Sequence, residues 1–151
     1  MAAGGKGPAD GGEGFRKNVE EVRKARAVVG PDFPLMLDCY MALSVPYAIK
    51  LARALEPLGL KWIEEFLPPD EYDGYDEVRS ALRSCGSSVL LTTGEHEYSK
   101  FGFQQLLNKK CVDIIQPDIT WLGGLTVARK GVAMAEAEGG MCIPHGSSVC
   151  S

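Results

Sequence analysis

Leu60-Lys61-Trp62-Ile63-Glu64-Glu65 decides the fold: it is a short apolar run that ends on acidic residues. The same form recurs along the chain. Leu35-Met36-Leu37 runs into Asp38, Val89 to Gly94 into Glu95, Val112 to Pro117 into Asp118, and Met141-Cys142-Ile143-Pro144 into His145. Helical patterns separate the runs. Strand, polar tip, helix, strand is the layout of a parallel α/β protein, whose functional groups sit at the carboxyl ends of its strands.

Outward from these runs, the expected strands are 34–38, 60–64, 88–93, 112–116 and 141–144. A first helix is expected over 13–29, with Phe15, Val19, Val22, Ala25 and Val29 at helical spacing. Ser44 reads as an N-cap, with Pro46 in the first turn, for a helix over 45–55. Further helices are expected over 76–84, 101–109 and 125–138, and 68–74 reads as a turn-rich loop. The fold class is therefore α/β. A strand-to-strand spacing of 22 to 31 residues is one βα unit each time. Five such strands cannot close an eight-stranded barrel, so a partial TIM-type (β/α) barrel with two open edges is expected. Residues 1–12, rich in Gly, Ala and Pro, read as a flexible segment before a partial-barrel domain over 13–151.

Composition bounds the function. The 151 residues are 45% hydrophobic and 24% charged, ordinary for a globular protein. A net charge of −4, with no basic face interleaved with aromatics, argues against nucleic acid. No apolar run approaches the length needed to cross a membrane. The N-terminus lacks the apolar core of a signal peptide. Five cysteines, none in C-x-x-C spacing, argue against a disulfide framework or a cysteine zinc site, and a reducing cytoplasm is expected. Cys39, Cys111 and Cys142 read as small core residues.

Asp38, Glu64 and Glu95 stand on consecutive strand ends. Carboxylates that converge repel one another unless a cation sits among them. Oxygen-only ligands suit Mg²⁺, or Mn²⁺, rather than zinc. Asp118 and His145 occupy the next two ends. An Asp that accepts from a His ring nitrogen fixes its tautomer and makes it a general base near neutral pH. His96 follows Glu95 and, by strand alternation, is expected to point away from it, toward either substrate or the barrel wall.

Trp62-Ile63-Glu64-Glu65, Gly94-Glu95-His96, Gln116-Pro117-Asp118 and Pro144-His145-Gly146-Ser147-Ser148 together resemble the mandelate-racemase branch of the enolase superfamily. The spacings agree: 26 residues from Asp38 to Glu64 and 27 from Asp118 to His145. Met36 to Met41, Leu67-Pro68-Pro69 and Trp121-Leu122-Gly123-Gly124 narrow the resemblance to L-rhamnonate dehydratases. The resemblance implies that Asp38, Glu64 and Glu95 bind Mg²⁺, which holds the carboxylate of an acid sugar. It implies that His145, oriented by Asp118, takes the C2 proton, so that loss of the 3-hydroxyl leaves a 2-keto-3-deoxy product. His96 is a candidate substrate-binding residue. Members of that branch also carry an N-terminal capping domain and further barrel strands, so the chain reads as a truncated member. They commonly form homo-oligomers. The alternatives are another dehydration or racemisation on the same scaffold, or a partial barrel without turnover.

Overall fold

The computed structural model describes residues 11–146. The elements alternate: α1 (Gly11–Val29), β1 (Met36–Asp38), α2 (Val45–Leu55), a 3-10 turn (Glu56–Leu58), β2 (Trp62–Glu64), α3 (Tyr72–Ser84), β3 (Leu90–Thr93), α4 (Lys100–Asn108), β4 (Ile114–Ile115), α5 (Leu125–Ala137) and β5 (Met141–Cys142). All five strands are parallel and stand in sequence order. Right-handed crossovers between sequential neighbours put every helix on one face of such a sheet. α2 packs against both α1 and α3, and α4 against α5. The sheet is not closed, as expected, and β1 and β5 are its two edges.

The strands are shorter than their apolar runs, because the runs continue into loops that stay buried. Phe66, Leu67 and Val112 lie outside the strands yet inside the core. Two boundaries differ more. α3 begins at Tyr72 instead of residue 76, because its first turn, read as loop from Asp73 and Gly74, packs Tyr72 and Tyr75 inward. α1 begins at Gly11, so the last two residues of the expected flexible segment are helical. The rest of that segment lies outside the described residues. Ser44 does occupy the N-cap of α2, but its side chain makes no capping hydrogen bond.

Register explains how the sheet divides its labour. Leu37, Ile63 and Leu91 are aligned neighbours, as are Ile115 and Cys142, and all pack toward the helices. Strand alternation turns the residues between them to the opposite face. That face carries the aligned set Asp38, Glu64 and Thr92. Met36 and Met141, on the same face at the two edges, are 43% and 50% exposed. Cys111 is buried, Cys39 and Cys142 pack against the core, and the described cysteines are free thiols.

α4 starts on a built cap. Ser99 Oγ accepts from the Gly102 N–H at 3.0 Å, and Glu97 accepts from Ser99 N–H and from the Tyr72 hydroxyl, each at 3.0 Å. A Cβ on Gly102 would fall on the Glu97 carboxylate. Gly102→Ala is therefore expected to cost about 1–3 kcal/mol despite the better helix propensity of alanine, read as a lowered urea midpoint. An unchanged or raised midpoint would show that Glu97 can move aside freely.

Candidate active site

Each candidate side chain follows the carboxyl end of a strand, and local hydrogen bonds set its direction. Asp38 Oδ1 accepts from the Tyr40 N–H two residues on, at 2.9 Å. Asp118 Oδ1 accepts in the same way from the Thr120 N–H at 2.8 Å, and from its hydroxyl at 2.6 Å. These are Asx turns, in which a carboxylate stands in for a backbone carbonyl. Glu64 Oε2 accepts from the indole N–H of Trp62, on the same face of β2, at 2.9 Å. Gly94 precedes Glu95 at φ 134°, with the Gln116 backbone so near that a Cβ would lie 3.0 Å from its nitrogen. Only glycine lets the chain turn that close to β4.

Asp118 and His145 are joined by a parallel bridge beyond β4 and β5. His145 Nδ1 lies 3.0 Å from Asp118 Oδ2, and Nε2 lies 2.7 Å from Glu95 Oε2. Burial alone would lower the imidazole pKa. The hydrogen bond to Asp118 and the charges of Glu95, Asp118 and Glu64 outweigh it, so the pKa is raised. Burial likewise opposes ionisation of Asp118, but the Thr120 and His145 hydrogen bonds overcome it and hold the carboxyl down at about 2.

Of the three carboxylates expected to converge, Asp38 and Glu64 are direct register partners, and Glu95 lies one strand further on. Among the described residues, the ligand atoms that approach within 4.8 Å of one another belong instead to Glu65, Glu95 and His96. His96 does not point away from Glu95. Both residues sit in the turn after β3, where strand alternation no longer applies. His96 Nδ1 is 2.8 Å from Glu65 Oε2 and 3.5 Å from Glu95 Oε1.

Glu65 is the residue that reading the strand ends passed over. It is fully buried, and its Oε1 has no hydrogen-bond partner among the described residues. Burial, reinforced by contact with Glu95 and opposed by His96, pushes its pKa up to about 7. The doubled acid in Trp62-Ile63-Glu64-Glu65 was the available signal, a second carboxylate directly beyond the strand end and next to a candidate ligand. Thr120 could be found from its place two residues after Asp118. Nothing local announces Tyr40 and Trp121, which flank His96.

The sequence model of the family described as enolase C-terminal domain-like matches residues 5–151. L-rhamnonate dehydratase of Saccharopolyspora erythraea is 54% identical over 145 residues, covering 96% of this chain and 36% of the relative. The crystal structure of rhamnonate dehydratase from Gibberella zeae complexed with Mg aligns at a TM-score of 0.88 and 50% identity, over 94% of this chain and 34% of that one. That of L-talarate dehydratase from Polaromonas sp. JS666, complexed with Mg and L-glucarate, aligns at 0.80 and 28% identity, over 88% of this chain and 36% of that one. The chain thus spans about a third of the length of these relatives.

Proposed function

Because this chain belongs to the enolase C-terminal domain-like family, we propose that it carries the metal-binding and base half of an acid-sugar dehydratase of the L-rhamnonate type. One observation carries the reading. His145 is held between Asp118 on one nitrogen and Glu95 on the other, at the open carboxyl end of a parallel sheet.

The fit to a hard divalent cation is one of donor chemistry and strand placement, since the ligand atoms already drawn together are those of Glu65, Glu95 and His96. Asp38 and Glu64 are paired across adjacent strand ends on the face away from the helices, and Glu95 follows on the next strand. Three carboxylates offer oxygen donors alone, the set suited to Mg²⁺ or Mn²⁺. A bound Mg²⁺ supplies positive charge to a substrate carboxylate and to the negative charge that develops when the adjacent C–H proton leaves. The other steps belong to side chains. Asp118 accepts the Nδ1 proton of His145 and so leaves Nε2 as the basic nitrogen. His145 Nε2 takes the C2 proton once its contact with Glu95 opens. The resulting imidazolium is placed to return a proton to the departing 3-hydroxyl, giving water and a 2-keto-3-deoxy acid.

Racemisation on the same scaffold would need a second base on the opposite face of the substrate, and His96 is the other histidine of the site. His96 Nδ1 meets Glu65 much as His145 Nδ1 meets Asp118, so that contact does not separate the two reactions; the likeness to L-rhamnonate dehydratase keeps dehydration as the first reading. The cytoplasm is the compartment this reading fits. No helix of the described residues is long and apolar enough to cross a membrane.

The test is a thermal melt with and without millimolar Mg²⁺. A ligand at a hundredfold excess over its Kd stabilises the native state by about 2.7 kcal/mol, so a rise of order 10 °C is expected. Glu64→Gln should lose most of that rise. A parent melt blind to Mg²⁺ would sink the reading.

A further inference from the structure

Three non-glycine residues beside the site have left-handed backbone: Tyr40 at φ 45°, Met41 at φ 58° and Glu65 at φ 41°. Such conformations are sparsely populated and persist where the surroundings over-determine them. Here the ties are visible. The Cys39 N–H donates to the Glu64 carbonyl at 2.9 Å, the Met41 N–H donates to the Glu65 carbonyl, and Asp38 holds the Tyr40 N–H. The end of β1 is thereby wrapped onto the end of β2.

The strain has a product. It presents Tyr40 and Glu65 to the same imidazole. The Tyr40 ring meets His96 at 5.5 Å between centroids and 74° between planes. Trp121 meets it at 5.3 Å and 78°. His96 Nδ1 lies 2.8 Å from Glu65 Oε2, and Nε2 has no partner among the described residues. The histidine side chain is 19% exposed, whereas Tyr40 and Trp121 are 59% and 57% exposed. An otherwise acidic strand-end cluster thus carries an aromatic rim around one held imidazole.

Resting on the dehydratase reading, we infer that Tyr40, His96 and Trp121 form the wall that selects the sugar acid. The two aromatics pack on an apolar terminal carbon, and His96 Nε2 hydrogen-bonds a hydroxyl of the same substrate. Glu65 is the positioning residue that fixes the His96 tautomer and ring plane. The carboxylates at the strand ends serve the acid end of the molecule. The aromatic surface is where a C–H or methyl terminus gains by leaving water. Apolar walls reject an added hydroxyl only modestly, so the preference for a 6-deoxy acid over its 6-hydroxy analogue should be of order tenfold.

The experiment is calorimetric binding of L-rhamnonate and of L-mannonate, its 6-hydroxy analogue, to the Mg²⁺-loaded chain. The parent should prefer L-rhamnonate by about tenfold. Trp121→Ala should bring the ratio near one, chiefly by weakening L-rhamnonate, and Tyr40→Ala should act in the same direction. Glu65→Leu should weaken both acids about tenfold. Glu65→Gln should restore most of that loss, because its amide oxygen still accepts from Nδ1, a rescue that a purely space-filling role would not produce. If both acids bind and Trp121→Ala leaves their ratio unchanged, or Glu65→Leu binds as the parent does, the wall is refuted while the dehydratase reading stands. A parent that binds neither acid overturns that reading and the wall with it.

Discussion

His145→Asn is expected to slow exchange of the C2 proton of L-rhamnonate with deuterated solvent by about 10³-fold, within the 10²–10⁴ that a positioned base contributes. Asparagine keeps a hydrogen bond toward Asp118 but has no basic nitrogen, so Mg²⁺ stabilisation should survive while exchange is lost. The pH dependence follows from the site's charges. On this reading neutral imidazole is the form that accepts the proton, so exchange should increase with pH. Against burial, the Asp118 hydrogen bond and charge raise the imidazole pKa, and Glu95 and Glu64 add to that in the metal-free chain. Asp118→Asn removes one of the raising partners and the tautomer lock, so the midpoint should fall and the plateau drop together. Exchange in His145→Asn at the parent rate would refute the assignment of the base.

Asp118 also links the site to acid stability. Its folded pKa, about 2, lies below the ordinary 3.8. A depressed carboxyl stabilises the fold above its unfolded pKa, and that contribution disappears as pH falls from about 4 toward 2. The proposed base and the fold thus draw on one ion pair, and Asp118→Asn should flatten the acid limb of a stability profile as well as shift the exchange midpoint.

How far the sequence revealed this molecule depended on which interactions are local. Strand existence and order followed from apolar runs such as Leu60 to Ile63, whose chemistry is periodic and self-announcing. Strand length did not, since Phe66 and Leu67 stay buried after β2 has stopped pairing. The Asp118–His145 pairing was foreseeable from two adjacent strand ends. The Glu65–His96 pairing was not, because residues 31 positions apart meet only when two left-handed turns aim them at each other. The alternation argument for His96 failed for a related reason: β3 ends at Thr93, so Glu95 and His96 obey turn geometry.

Asp113, which no feature of the sequence singled out, is expected to give the largest stability loss of any single polar truncation at the amino end of the sheet. It immediately precedes β4, at the end opposite the active groups. Its Oδ1 accepts from Arg79 Nε at 3.3 Å and Nη2 at 3.1 Å, and its Oδ2 accepts from Arg83 Nη2 at 2.7 Å and from the Leu91 N–H at 2.8 Å. One carboxylate therefore clamps two turns of α3 to β3 and β4. The side chain is 15% exposed and the two arginines about twice that, so solvent screens the network only in part. Fully exposed pairs are worth below about 1 kcal/mol, whereas stranding buried charge costs about 3–5 kcal/mol. Asp113→Ala removes the carboxylate partner of both guanidinium groups, leaves Arg83 only its bonds to the Ser87 and Val89 carbonyls, unpairs the Leu91 amide, and should cost about 3 kcal/mol. Arg79→Met leaves Asp113 its bonds to Arg83 and Leu91 and should cost about 1 kcal/mol. Asp113→Asn keeps one acceptor oxygen and should fall between them. Urea unfolding of the three variants reads the order directly, and a loss below 1 kcal/mol for Asp113→Ala would reclassify the cluster as a screened surface pair. Against a typical total of 5–15 kcal/mol, the expected loss is large for a sheet with two open edges. Asp113 thus fixes to α3 the amino ends of β3 and β4, the two strands whose far ends lead to Glu95 and Asp118.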